Sequence, residues 1–181
     1  MIKISILTVS DSVVVGNREN ASGPAVRERC EQLGWRVMEE DVVPDDQSAI
    51  ARRLQRWADS SIVSVILTTG GTGVSARDVT PEATRSILDR EIPGIAELMR
   101  SKGSEQTKFS VLSRAVAGSR KQTLIVNLPG SPKGAVHSLD AIAHLVPHVV
   151  DLLEGRTDHA VSAKLKTVEE TPETAGASED I

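Results

Sequence analysis

The sequence predicts an α/β domain in which strands and helices alternate along the chain, and three observations predict it. Short apolar runs at 2–9, 62–67 and 123–128 are long enough for buried strands and too short for helices of their own. Polar or glycine-rich turns follow, leading to helix starts such as Ser22 before Gly23-Pro24 and Thr80 before Pro81. A length of 181 residues suits one domain with a substantial core and no need of staples.

Taken in order, strand 2–9 ends at Ser10-Asp11-Ser12, which opens a long polar loop containing Gly16, Asn17, Asn20 and Gly23. Asp11 lies just past the carboxyl end of that strand, where open α/β sheets bind ligands; an aspartate capping a turn reads equally well there. A helix starts at Ser22 and stops at Gly34, and a strand at 35–43 follows. Either Asp45 or Asp46 can cap the next helix, so one acid is left over. Ile50, Leu54, Trp57 and Ala58 recur on one face of that helix, which makes it a core face. After strand 62–67 and the loop beginning at Thr68, Thr80 caps a helix over 81–90 with Pro81 at its first position. Pro93-Gly94 breaks it and starts a helix carrying Glu97 and Arg100, spaced for a surface ion pair. The segment 109–118 is ambiguous between strand and helix. Strand 123–128 leads to a helix opened by Gly134, and helical sequence continues to about 153, interrupted near Pro147 and stopped at Gly155.

Composition limits the function classes. The net charge of −4 is matched by residues 157–181, where six acids meet only Lys164 and Lys166, so residues 1–156 are neutral. That division predicts a folded domain over 1–156 and a disordered acidic tail over 157–181. No basic stripe is evident, and Trp35, Trp57 and Phe109 are the only aromatics, so nucleic-acid binding is not expected. The alternating start, Met1-Ile2-Lys3-Ile4, is neither a signal peptide nor a membrane span. A single cysteine, Cys30, excludes an internal disulfide framework and fits a reducing, cytoplasmic setting.

Two loops carry the chemistry. In Thr68-Thr69-Gly70-Gly71-Thr72-Gly73 the glycines permit positive φ and let N–H groups approach an anionic oxygen, while Thr69 and Thr72 add hydroxyls. Arg77 and Asp78 place a cation and a carboxylate at the edge of the loop, a combination suited to a phosphate with a bound metal ion. A plain tight turn explains the glycines alone equally well, and neither the P-loop ending nor the dinucleotide fingerprint is present. The second loop, Asn127-Leu128-Pro129-Gly130-Ser131-Pro132-Lys133-Gly134, offers an amide, a hydroxyl, a lysine and a helix N-terminus that favours an anion. Ser113-Arg114 is a further candidate anion contact. His144 and His148 are four apart but separated by Pro147 without the glutamate of a zinc protease, so they read as solvated, as does His137.

Together, Thr68 to Gly73, the run Arg77-Asp78-Val79-Thr80-Pro81-Glu82-Ala83-Thr84, Pro93-Gly94 with Glu97 and Arg100, Leu112-Ser113-Arg114, and Leu124 to Gly134 resemble the MogA/MoaB family of molybdenum cofactor biosynthesis. The resemblance covers about 2–155. It implies a three-layer α/β/α fold with a largely parallel sheet, a homo-oligomer (trimer or dimer of trimers), and other molybdenum cofactor enzymes as partners. It also implies molybdopterin adenylyltransferase activity with Mg²⁺, in which the terminal phosphate of molybdopterin attacks the α-phosphate of ATP and pyrophosphate leaves. The family's two important aspartates fall on Asp45 and Asp78, expected to hold the metal. Ser10, Asp11, Thr69, Gly70, Gly71, Thr72, Gly73, Arg77, Ser113, Arg114, Asn127, Pro129, Gly130, Ser131 and Lys133 are the expected substrate contacts. The alternative is a non-catalytic molybdopterin-binding protein of the MoaB type. The related CinA domain shares the glycine loop but not the pattern from Asn127 to Lys133.

Overall fold

The computed structural model describes residues 1–156, so the expected tail lies outside the described residues. In chain order the elements are β1 (Lys3–Val9), α1 (Asp11–Val14), α2 (Ser22–Gln32), β2 (Arg36–Val43), α3 (Gln47–Asp59), β3 (Val65–Thr69) and α4 (Thr80–Arg85). They continue with β4 (Arg90–Glu91), α5 (Pro93–Ser104), a 3-10 helix at Lys108–Leu112, β5 (Ala117–Arg120), β6 (Thr123–Leu128), α6 (Pro132–Ile142) and α7 (Val146–Leu153).

One six-stranded sheet runs in the order β2-β1-β3-β6-β5-β4. Its first four strands are parallel, and β5 and β4 join as antiparallel neighbours. Side chains on a strand alternate between faces, and the two faces feed two separate cores. Ile4, Ile6, Val65, Leu67, Leu124 and Val126 pack with α2, α5, α6 and α7. Leu7, Val9, Ile66 and Ile125 pack instead with Ile50, Leu54 and Trp57 of α3 and Ala83 of α4. The result is the expected helix-sheet-helix sandwich. Because the central strands are covered on both faces, they read as continuous apolar runs rather than alternating ones.

Strand order reverses at β1, since the crossover through α2 leads to β2 on one side and the crossover through α3 leads to β3 on the other. Open parallel sheets leave a crevice beyond the strand ends at such a switch point. Ser10-Asp11 and the loop after Thr69 occupy that crevice here.

The helix expected over 81–90 ends at Arg85, because the chain beyond it is claimed by the sheet. Asp89 N–H donates to Ser119 O at 2.8 Å and Ile92 N–H to Ala117 O at 2.7 Å. Gly118 permits this, since a Cβ there would stand 2.4 Å from Arg90 O. Thr80 does not cap α4; its hydroxyl donates to Gly70 O at 2.9 Å and the N-cap is Val79. The ambiguous segment 109–118 resolves into most of the 3-10 helix and the first half of β5. Gly134 does not open α6, which begins at Pro132 with Ser131 as N-cap. Nor do Glu97 and Arg100 pair: Arg100 Nη1 donates to Ser113 O at 3.3 Å and Ala115 O at 3.2 Å.

Candidate functional site

The two loops after β3 and β6 are joined backbone to backbone. Thr69 Oγ1 donates to Pro129 O at 2.7 Å, and Gly70 N–H to Leu128 O at 3.3 Å. Gly70 has φ +104°, and a Cβ there would lie 2.3 Å from Val9 O, so glycine is required by both conformation and space. A Cβ on Gly130 would lie 3.2 Å from the Gly70 Cα. Parallel strands thus bring residues about 60 apart in sequence into one platform.

Arg114 fixes the far side of the glycine loop. Its backbone N–H donates to Thr72 O at 2.8 Å and its Nε to Gly73 O at 2.6 Å, while its other guanidinium nitrogens reach Asp78 O and the Glu82 carboxylate. Burial alone would push the Glu82 carboxyl up, but the Arg114 hydrogen bond, its own N–H and the nearby charges of Arg114 and Arg85 bring it below its usual value. The loop held this way leaves the N–H groups of Gly71, Thr72 and Gly73 without a hydrogen-bond acceptor among the described residues. Successive free N–H groups in a tight turn form a concavity suited to an anion.

Three aspartates surround this platform. Asp11 and Asp45 bond reciprocally: Asp11 N–H donates to Asp45 Oδ2 at 2.9 Å, and Asp45 N–H to Asp11 Oδ1 at 3.0 Å. Arg77 pairs with the other Asp11 oxygen. Asp46 takes the N-cap of α3, accepting from Ala49 N–H at 2.7 Å, which leaves Asp45 facing the crevice. Asp78 Oδ2 accepts from Ser75 N–H at 2.8 Å. The Asp45 carboxyl is raised above its ordinary value by burial and by the charges of Asp11 and Asp78, against the pull of the Asp11 N–H and Arg77.

Two lobes open on either side of the platform and share Gly71, Gly130 and Ser131. The smaller, about 350 Å³, is polar and includes Ser10, Arg18, Asn20, Asp45 and Thr69. The larger, about 470 Å³, includes Thr72, Gly73, Asp78, Ser113 and Pro129 together with side chains that sequence reasoning missed, Met99, Gln106, Phe109, Leu112 and His137 among them. Its outer wall is the strap from Glu105 to Ser113, laid against α5 where Gly103 leaves room: a Cβ there would stand 2.8 Å from the Ser110 Cβ. Ser110 Oγ donates to Arg100 O at 3.0 Å. His137, read as solvated, pins the strap's start, its Nε2 facing Lys102 O at 3.0 Å and its Nδ1 facing Gln106 Nε2 at 2.9 Å. With a carbonyl on one side, Nε2 carries the proton and Nδ1 accepts.

Five expected contacts are not on the walls of the lobes: Asp11 and Arg77, which pair with each other, and Asn127, Arg114 and Lys133. Asn127 is fully buried; its Nδ2 donates to Thr68 and Thr84 hydroxyls at 3.0 and 2.9 Å, and its Oδ1 accepts from Val116 N–H at 3.3 Å. Arg114 works on the loop backbone as described. Lys133 is exposed on α6, in a separate shallow depression with Ala25, Val136 and Asp140. Among the described residues, no group of three or more His, Cys, Asp or Glu side chains is placed to hold a metal ion, and no helix is long and apolar enough to cross a membrane.

Known proteins resemble this chain in sequence and in fold. The family model described as "Probable molybdopterin binding domain" matches residues 5–148. The chain is 48% identical to the crystallised molybdopterin biosynthesis enzyme MoaB from Thermus thermophilus, with a TM-score of 0.81, covering 86% of this chain and 98% of that one. It is 36% identical over 156 residues to a molybdopterin adenylyltransferase of Helicobacter pylori, covering 85% of this chain and 89% of that protein. It is also 39% identical over 153 residues to the molybdenum cofactor synthesis protein cinnamon of Drosophila melanogaster, though it spans only 26% of that longer protein. From the glycine platform, its aspartates and these likenesses together, the chain belongs to the molybdopterin-binding domain family of MogA and MoaB proteins.

Proposed function

We propose that this chain is a molybdopterin adenylyltransferase, which transfers AMP from ATP to the terminal phosphate of molybdopterin and releases pyrophosphate. The observation that carries this reading is the junction of two lobes at Gly71, Gly130 and Ser131, with Asp45 and Asp78 beside it. A reaction that joins two phosphorylated molecules needs two compartments meeting where the phosphates meet.

A phosphate nucleophile is already ionised, so the site needs no general base. The barrier lies in bringing several negative charges together, and positioning with charge neutralisation lowers it. The free N–H groups of Gly71 to Gly73 and the N-terminus of α6 at Ser131 supply fixed partial positive charge at the junction. Thr69 and Thr80 hold the loop backbone in place, so those dipoles require no reorganisation.

The donor set fits Mg²⁺. Asp45 and Asp78 each have Oδ2 occupied by a backbone N–H, whereas neither Oδ1 accepts a hydrogen bond among the described residues. Mg²⁺ takes one or two carboxylates alongside substrate phosphates, and when bound it neutralises phosphate charge. Burial and the like charges of Asp11 and Asp78 raise the Asp45 carboxyl, and a bound cation offsets both. Assembly as a trimer or dimer of trimers, work in the cytoplasm and contact with other molybdenum cofactor enzymes are the parts of the proposal that rest on family resemblance.

The test is pyrophosphate release from ATP and Mg²⁺, with and without molybdopterin, beside Asp45→Ala and Asp78→Ala. Release that requires molybdopterin and falls at least about 100-fold in each variant is expected, the size typical of losing one electrostatic contact in a transition state. Molybdopterin binding without release in the unaltered protein would instead make the chain a non-catalytic carrier.

A further inference from the structure

Asp11 and Arg77, both expected to touch substrate, are on the wall of neither lobe and bond to each other instead. What each partner is joined to makes this more than a surface ion pair. Beyond the strand ends, β1 and β2 stay paired by Ser10 N–H donating to Val43 O at 2.9 Å. One residue further, side chains take over from carbonyls: Asp11 N–H donates to Asp45 Oδ2 and Asp45 N–H to Asp11 Oδ1. Asp45 is thereby held at both its backbone and its carboxylate. Its Oδ1 stands against the glycine loop, where a Cβ on Gly71 would lie 3.2 Å from it.

The other Asp11 oxygen takes the Arg77 guanidinium, which crosses from the far shoulder of that loop. Arg77 sits in a turn that also fixes Asp78. Its N–H donates to Ser75 Oγ at 3.4 Å, while Asp78 N–H donates to Ser75 O at 2.9 Å and Asp78 Oδ2 accepts from Ser75 N–H. Asp78 in turn faces Gly73, where a Cβ would stand 3.0 Å from its Oδ2. An asparagine at position 11 could accept from Asp45 N–H equally well, but only a carboxylate also accepts a guanidinium on its second oxygen. The charge of Asp11 is unfavourable beside Asp45, and that of Arg77 opposes it.

We propose that Asp11 is a positioning residue, neither a substrate contact nor a metal ligand. Through Asp45 N–H on one side and Arg77 on the other, it holds Asp45 and Asp78 in one frame across the crevice. The proposal rests on those two aspartates holding a divalent cation. Both Asp11 oxygens are already taken, and among the described residues no three acids, histidines or cysteines are grouped to hold a metal.

Mn²⁺, which takes the same oxygen ligands as Mg²⁺, tests the frame without substrate, free Mn²⁺ being counted by its paramagnetic resonance signal. Electrostatics alone predicts that removing the Arg77 cation tightens Mn²⁺ binding. The frame predicts the reverse. Arg77→Ala and Asp11→Asn each weaken binding about tenfold, a usual cost of losing a residue that orients a metal's ligands. The double variant binds no more weakly than Asp11→Asn, because both substitutions cut the same tie. Arg77 is 71% exposed, so its truncation leaves the core intact. In both single variants the Mg²⁺ concentration for half-maximal pyrophosphate release rises by a similar factor. Three results overturn the proposal: tighter or unchanged Mn²⁺ binding in Arg77→Ala, a double variant weakened by the product of the single effects, or no Mn²⁺ binding by the unaltered protein. Pyrophosphate release by the unaltered protein leaves the activity reading standing in each case. The expected Mn²⁺ pattern without pyrophosphate release keeps the frame and removes the activity.

Discussion

Asp45 ionises against burial and against the charges of Asp11 and Asp78, so in the folded chain it holds its proton above the ordinary aspartate value of 3.8. The sign of the linkage follows. Stability associated with the protonated form is complete below 3.8 and is lost as pH rises through the folded value. At neutral pH the fold therefore carries an unfavourable charge at this position. Asp45→Asn keeps the shape and an acceptor for Asp11 N–H, so its melting temperature should exceed that of the unaltered protein at pH 7, with the gap closing as pH falls below 3.8, while pyrophosphate release disappears. An equal or lower melting temperature at pH 7 would show that the charge is already compensated. The sequence contained half of this reasoning: two adjacent acids and one helix cap left one acid over, and the cap went to Asp46. It did not contain the raised titration of Asp45, which comes from burial and from the charges of Asp11 and Asp78 that only the fold brings beside it. His137 was illegible for the same reason, since its partners Lys102 and Gln106 belong to another helix and the strap.

Strand ends are tied to helices by single polar side chains, of which Asn127 is the clearest case. From β6 it reaches Thr68 on β3, Thr84 on α4 and the Val116 N–H at the entry to β5. Asn127→Ala leaves two hydroxyls and one amide N–H without those bonds, each in a buried residue, at a cost of about 3 kcal/mol, or about 6–12 °C in melting temperature for a domain of this size. Lys133→Ala, on the exposed face of α6, should change stability by less than about 0.5 kcal/mol in the same thermal melt. A sequence reading could place Asn127 at a strand end but not tell an inward amide from one turned to a ligand. Elements with a strong local signal were legible: the apolar strands and the α3 face of Ile50, Leu54 and Trp57. β4 and β5 were not, because two to four residues with no apolar period become strands only through pairing, β4 with β5 and β5 with β6.

At the scale of the whole molecule, the parallel strands act as rails that deliver four segments to one edge of the sheet. Charge agrees with that division of labour: residues 1–156 are neutral overall, so no net field steers ligands, while Asp11, Asp45 and Asp78 put local charge at the crevice. The bonds from Thr69 to Pro129, Gly70 to Leu128 and Thr80 to Gly70 leave the two loops no hinge between them. A centre built that way cannot wear out by itself. Many enzymes lose activity on warming before they melt, because a lightly held active-site loop opens first. Here the glycine platform is part of the central sheet's own seam, so heat inactivation and loss of secondary structure should follow one curve, measured as residual pyrophosphate release and far-ultraviolet circular dichroism on the same sample. For this chain the shelf life of the catalyst is the lifetime of its fold.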